Sequence, residues 1–234
     1  MTVSARSVVL ATLLASCGGA TVAEPPPTLA PVATASPSPT RSPAPSATVS
    51  AAGPWSFFVE GSSKATVRVR EQLARFESPT DAVFEVGGVA GSFTLNPDGT
   101  FAPTSAITVQ VATIRSDEGQ RDNFIRRDPL EVGTYPRAQF VPTAVSGLPL
   151  PLPASGDFAF KLTGQMTLHG VSKEVTFDVS ATRTGSKLEA TATANPSWKF
   201  GDFGMRPPSA FVVLSIVDLI RMEFSLVATE VRAT

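Results

Sequence analysis

Residues 157–169, DFAFKLTGQMTLH, constrain this chain more than any other stretch. Phe158, Phe160, Leu162, Gly164, Met166 and Leu168 alternate there with Asp157, Ala159, Lys161, Thr163, Gln165, Thr167 and His169. Successive side chains of a strand point to opposite faces, so a period of two held over thirteen residues marks a strand with one apolar face. Val175, Phe177 and Val179 alternate in the same way with Glu174, Thr176 and Asp178, and Ile220, Met222, Phe224 and Leu226 with Arg221, Glu223 and Ser225. Less regular strands are expected at 65–70, 82–87, 91–95, 106–114, 138–145 and 187–194, about nine in all. Chain-reversal residues separate them: Gly87-Gly88, Asn96-Pro97-Asp98-Gly99, His169-Gly170, Thr184-Gly185-Ser186 and Asn195-Pro196. Short connections imply an all-β, antiparallel fold. A single helix is expected at 120–127, with Ser116 and Asp117 supplying N-cap side chains and Pro129 ending it. A thirteen-residue strand spans about 40 Å, well beyond the usual five or six residues, which favours a tall barrel of about eight strands over a sandwich.

The first residues bear on the compartment. Residues 1–6 are weakly basic and 7–14 (SVVLATLL) apolar, which suits an export signal but not a bilayer span of about 20 residues. Leu14-Ala15-Ser16-Cys17, followed by Gly18-Gly19, resembles the bacterial lipobox. The resemblance implies acylation at Cys17 and loss of the residues before it; the alternative is ordinary signal cleavage beside a stray thiol. With one cysteine in 234 residues no internal disulfide can form, so the fold must rest on its core. Residues 18–54 hold nine of the 21 prolines among Ala, Ser and Thr, a composition expected to give a flexible linker. Residues 55–234 suffice for one domain with a sizeable core. That domain carries 17 basic and 19 acidic residues, a formal charge of −2, so no electrostatic attraction to nucleic acid or anionic lipid is expected.

The candidate chemistry is sparse. His169 is the only histidine, which limits any catalytic triad to that position and removes multi-histidine metal sites. Its place beside Gly170, on the polar phase of its strand, points to a turn or surface role. Gly87-Gly88-Val89-Ala90-Gly91 precedes a strand rather than a helix, so it reads as a hairpin or bend and not a phosphate loop. Asp117, Glu118, Asp122 and Asp128 are interleaved with Arg115, Arg121, Arg126 and Arg127, which suits capping and ion pairing better than a calcium loop. The other reading of this region is that Arg121 and Asp122 frame a barrel mouth and meet a ligand headgroup. No metal and no cofactor is expected.

The segment from Gly164 to Phe177, GQMTLHGVSKEVTF, resembles the strand, turn and strand pattern G-x-L-T-[LI]-[HR]-G-V-[TS]-K of the YceI-like family. Arg121-Asp122 at the helix, Tyr135-Pro136 with Phe140, and Asp202-Phe203-Gly204 occur in the matching order, and the likeness runs over 64–230. It implies an extended lipocalin-like antiparallel barrel, with a helix in a connection, around an apolar channel for a polyisoprenoid or similar lipid. Phe124 departs from the pattern, standing about where many members carry a histidine.

Under that resemblance the candidate channel residues are Phe93, Phe140, Phe158, Phe160, Leu162, Gly164, Met166, Phe177, Met222 and Phe224. For an arbitrary β-domain such side chains simply fill a solid core, and the resemblance together with the strand length turns the reading toward a channel. Gly164, on the inward phase, either permits strand coiling or leaves room for a ligand. The function expected is that of an envelope lipoprotein, tethered through Cys17 to the outer face of a cytoplasmic membrane or to an outer membrane. It would hold a long-chain isoprenoid or related lipid for storage, carriage or sequestration, without a covalent step. The rivals are a filled-barrel interaction module acting through its loops and, with least support, an enzyme acting on lipid.

Overall fold

Alternating apolar and polar side chains become ten antiparallel strands among the described residues, 53–75, 77–209 and 213–231 of a computed structural model. The expected signal peptide, Cys17 and nearly all of the 18–54 linker lie outside these residues. In chain order the elements are β1 (Trp55–Val59), β2 (Lys64–Leu73), β3 (Thr80–Val86), β4 (Ala90–Leu95), β5 (Ala106–Val109), α1 (Gly119–Arg127), β6 (Ala138–Ser146), β7 (Ser155–Leu168), β8 (Val171–Thr184), β9 (Lys187–Ala194) and β10 (Val213–Glu230). They form a closed eight-stranded antiparallel barrel. Ten strands fill eight positions because two are bent. β1 pairs with the end of β10 and β2 with its earlier part, while β4 lies beside β1 and β3 beside β2. Of the hairpin or bend expected at Gly87-Gly88 the structure has the bend: β3 and β4 run in one direction beside β2 and β1, so the chain does not reverse there.

The sequence-predicted strand at 157–169 is the centre of this wall. β7 and β8 pair in unbroken register from Ser155 opposite Thr184 to Leu168 opposite Val171. The connecting His169 and Gly170 have φ of 51° and 74°. Two positive φ values in a two-residue loop give a turn whose twist matches the strands it joins.

Several expectations need correction. β1 was not expected: Trp-Ser-Phe-Phe-Val has only five residues, too few to show an alternation. The strand expected at 106–114 is β5 followed by a 3-10 turn at Val111–Thr113. Helix α1 is capped by Glu118, whose side chain accepts from the Gln120 amide at 3.4 Å, and not by Ser116 or Asp117. Ser116 instead donates from its amide and hydroxyl to Asp122 Oδ1, at 2.8 and 2.7 Å, and so ties down the approach to the helix.

The barrel interior is apolar. Val175, Phe177, Val179 and Ala181 of β8 are buried, while Phe158, Phe160 and Leu162 of β7 and Met222, Phe224 and Leu226 of β10 are only partly so. All of these except Val175 line interior cavities, and the residual accessibility of the partly buried ones reflects that hollow space. The end of the barrel nearest Trp55 is closed by Trp55, Phe57, Leu95, Leu152 and Ala228. Beneath them the buried Arg183 donates to Glu230 Oε2 at 2.7 Å and to the Pro153 and Gly185 carbonyls, with its guanidinium carbon 5.5 Å from the centre of the Phe57 ring. A buried charge is tolerable only when paired and hydrogen-bonded in this way.

Candidate functional site: a divided apolar cavity

Inward-facing residues of β2 and β3 build most of one wall of a cavity of about 570 Å³ near α1. Ala65, Val67, Val69, Glu71 and Leu73 come from alternate positions of β2, and Ala82, Phe84 and Val86 from β3. Val109, Ala138, Met166, Met222 and Phe224 continue the lining. Helix α1 contributes Gln120, Arg121, Phe124 and Ile125, and the segment after β9 contributes Trp198, Phe200 and Met205. This volume lies within the roughly 300–1,000 Å³ usual for small-molecule sites.

A second, smaller cavity of about 110 Å³ lies toward the Trp55 end and shares Val109 and Phe224 with the first. Between the two stands an aromatic cluster. The Phe177 ring meets Phe140 edge-on at 5.3 Å between centroids, Phe224 at 5.6 Å and Trp198 at 6.0 Å. Edge-to-face packing is a favoured aromatic geometry, so the cluster is a well-packed partition. The interior is neither one long channel nor a solid core; it is a roomy half and a nearly filled half with the aromatic cluster between them.

The sequence-predicted residues fall on both sides of this partition. Met166, Met222 and Phe224 line the larger cavity, and Phe93, Phe140, Phe158, Phe160, Leu162, Phe177 and again Phe224 line the smaller. Gly164 lines neither. A Cβ placed there would meet Val141 O at 2.4 Å and the Phe140 ring at 2.6 Å, so the missing side chain admits a close strand and an aromatic ring instead of leaving room for a ligand.

Arg121 lines the larger cavity and is held in an ion pair. Its Nη2 lies 3.3 Å from Glu71 Oε1 and its Nη1 2.9 Å from the exposed Asp117 Oδ1. Asp122 lies outside the lining and is buried against Ser116, so it serves the helix start and not a headgroup. Phe124 adds an apolar wall at the departure from the family pattern. His169 occupies the expected turn but is packed rather than left at the surface. Its Nδ1 is 3.3 Å from the Phe203 carbonyl, its ring 4.5 Å from Tyr135, and its Nε2 3.9 Å from Glu131. It does not line either cavity. Among the described residues no group of three or more His, Cys, Asp or Glu could hold a metal.

Sequence reasoning missed Glu71, Phe84, Trp198, Phe200 and Met205. A usable signal existed for Glu71: it extends the series Ala65, Val67, Val69 by one step of two, which places a carboxylate on the inward phase. No local period marks Trp198, Phe200 and Met205, which lie in a connection.

Residues 59–228 match the model of the YceI-like domain family. A UPF0312 protein of Pseudomonas putida strain W619 is 33% identical over 129 residues, covering 51% of this chain and 62% of that protein. The chain thus spans about three fifths of the length of the curated relatives it matches. Two solved structures share the fold. The polyisoprenoid binding domain from Saccharophagus degradans, implicated in plant cell wall breakdown, has a TM-score of 0.55 at 11% identity, covering 74% of this chain and 97% of that one. Burkholderia cenocepacia BcnA has a TM-score of 0.54 at 18% identity, covering 73% and 99%.

Proposed function

This chain belongs to the YceI-like domain family, and from that premise we propose that it holds a long-chain isoprenoid or similar apolar lipid in the larger barrel cavity. The observation that carries the reading is the 570 Å³ cavity, whose wall is apolar apart from a few polar groups at the α1 end. Such a site binds by removing hydrocarbon from water, at about 0.8 kcal/mol per methylene. Ten buried carbons would thus supply about 8 kcal/mol, a micromolar affinity before the losses of immobilisation. The solved neighbour that is a polyisoprenoid binding domain supports the class of cargo. The aromatic partition limits how far a chain can enter, so a long cargo would leave its remainder at the α1 end.

Storage, carriage or sequestration fits this site better than catalysis. Arg121 and Glu71 are engaged with each other, and His169 lies away from the cavity wall. We further infer an exported protein tethered to the cell envelope through an acylated Cys17, in support of which stands Leu14-Ala15-Ser16-Cys17 behind an apolar stretch. Native mass spectrometry of the purified chain, before and after organic extraction, tests the cargo. A lipid mass that extraction removes and added polyprenol restores is the expected result. A chain that stays ligand-free after growth in membrane-rich cells and takes up no polyprenol would overturn the reading.

A further inference from the structure

β10 enters the barrel beside the larger cavity and departs twice from regular pairing with β2. Val213 lies opposite Leu73 but Ser215 opposite Gln72, which leaves Leu214 over. Ile216 lies opposite Glu71 but Ile220 opposite Val69, so Val217, Asp218 and Leu219 stand against Arg70 alone. Bulges of this kind re-aim side chains and are built-in features of a fold. Here the extra residues put Leu214, Val217 and Leu219 into water, at 66%, 49% and 39% exposure. On the same short segment Val213, Ile216 and Ile220 line the cavity. Asp218, the one charge among them, accepts from the Phe200 amide at 2.9 Å. Apolar surface therefore runs from the cavity wall around its rim to the outside. Pro208 continues the lining.

We propose that Leu214, Val217 and Leu219 form a bilayer-docking surface that sets the cavity rim on a membrane, so that apolar cargo passes between bilayer and barrel without crossing water. The inference rests on the lipid-holding reading above. Three side chains fall far short of the roughly 800 Å² per partner of a stable protein interface. A few exposed apolar side chains do suit shallow insertion among lipid headgroups. The rim's continuity with the cavity wall makes the bilayer the partner that both covers the patch and supplies the cargo.

The test uses the full chain carrying Cys17→Ala, so that no acyl group contributes to binding and a new cysteine is the sole thiol. Val217→Cys and, as a control, Ser180→Cys on the outer face of β8 each carry an environment-sensitive fluorophore. Vesicles of phosphatidylcholine and phosphatidylglycerol should blue-shift the label at 217 and leave that at 180 unchanged. The combined Leu214→Gln, Val217→Gln and Leu219→Gln variant should bind vesicles about 100-fold more weakly, as three lost apolar contacts of about fivefold each. It should keep the parent's circular dichroism and its uptake of cis-parinaric acid as a cavity probe. An unshifted label at 217, a triple variant that binds like the parent, or a dimer that the triple variant abolishes would each overturn the proposal. Cis-parinaric acid uptake without patch-dependent docking sinks the docking surface alone. Docking by a parent that takes up no cis-parinaric acid sinks the lipid-holding reading.

Discussion

Replacing Arg121 with Met should destabilise the protein far more than replacing Glu71 with Gln, although each removes half of the same ion pair. Glu71 points inward from β2 with its side chain only 8% exposed, and Arg121 Nη2 lies 3.3 Å away. At that separation and an effective dielectric of about 20, the attraction is about 5 kcal/mol before desolvation is counted. Arg121 is 18% exposed and has a second carboxylate at 2.9 Å, that of Asp117, which is 86% exposed. Glu71→Gln therefore leaves the guanidinium paired and near water, at a loss of about 1 kcal/mol, as for an ordinary hydrogen bond. Arg121→Met strips that guanidinium from a carboxylate set among Val69, Leu73 and Ile216. Losing one partner of a buried pair costs about 3–5 kcal/mol, and partial exposure places this case near 3. The double variant Glu71→Leu with Arg121→Met replaces both charges by apolar groups and should return to within about 1 kcal/mol of the parent. Urea unfolding of all four proteins, with unchanged slopes, gives the stabilities to compare. Equal losses for the two single variants, or a double variant equal to their sum, would refute the reasoning that Glu71 depends on Arg121 more than the reverse.

Phe177→Ala should remove the middle of the aromatic partition, lowering stability by about 4 kcal/mol and joining the two cavities. Thermal unfolding reads the first effect, and a preference shifted toward longer polyprenols reads the second. Gly164→Ala should cost about 1–3 kcal/mol through overpacking against Val141 O and the Phe140 ring, with a lowered urea midpoint as the readout. Lys173, together with the Lys199 amide, holds the Asp202 carboxyl below the usual carboxylate range. A carboxylate depressed in the folded state stabilises above its unfolded value near 4, and that contribution is lost as the pH falls through the folded value. Asp202→Asn should therefore lower the urea midpoint at pH 7 and converge with the parent near pH 2, and a gap that widens on acidification would contradict the assignment. Cys17→Ala should shift the protein from the membrane fraction toward the soluble one, leaving only the weaker docking through β10, with cargo still bound.

Strands with one apolar face and one polar face could be read directly, because a period of two survives in one dimension. β7, β8 and the later part of β10 show it, and the His169-Gly170 turn was visible between the first two. β1 was hidden by its length. The earlier part of β10 was hidden because its bulges break the alternation, with apolar residues facing both the cavity and the outside. Arg121 was found from its place at the helix, while its partner Glu71 was passed over as one charge among many on an irregular strand.

By itself the sequence determined an antiparallel β-fold with a continuous apolar face, a single short helix, the family to which the domain is related and a set of large apolar side chains that had to turn inward. Only the tertiary structure decided what those side chains enclose. Phe140, Phe177 and Phe224 come from three strands far apart in the chain, yet their rings meet to divide the interior into a cavity and a nearly filled remainder. Volume is a property of how facing side chains fit across a closed wall, and no pattern along one strand reports it. The same reason separates Asp122 from its neighbour Arg121: adjacent in sequence, they leave the helix about 100° apart, so one lines the cavity and the other is buried against Ser116.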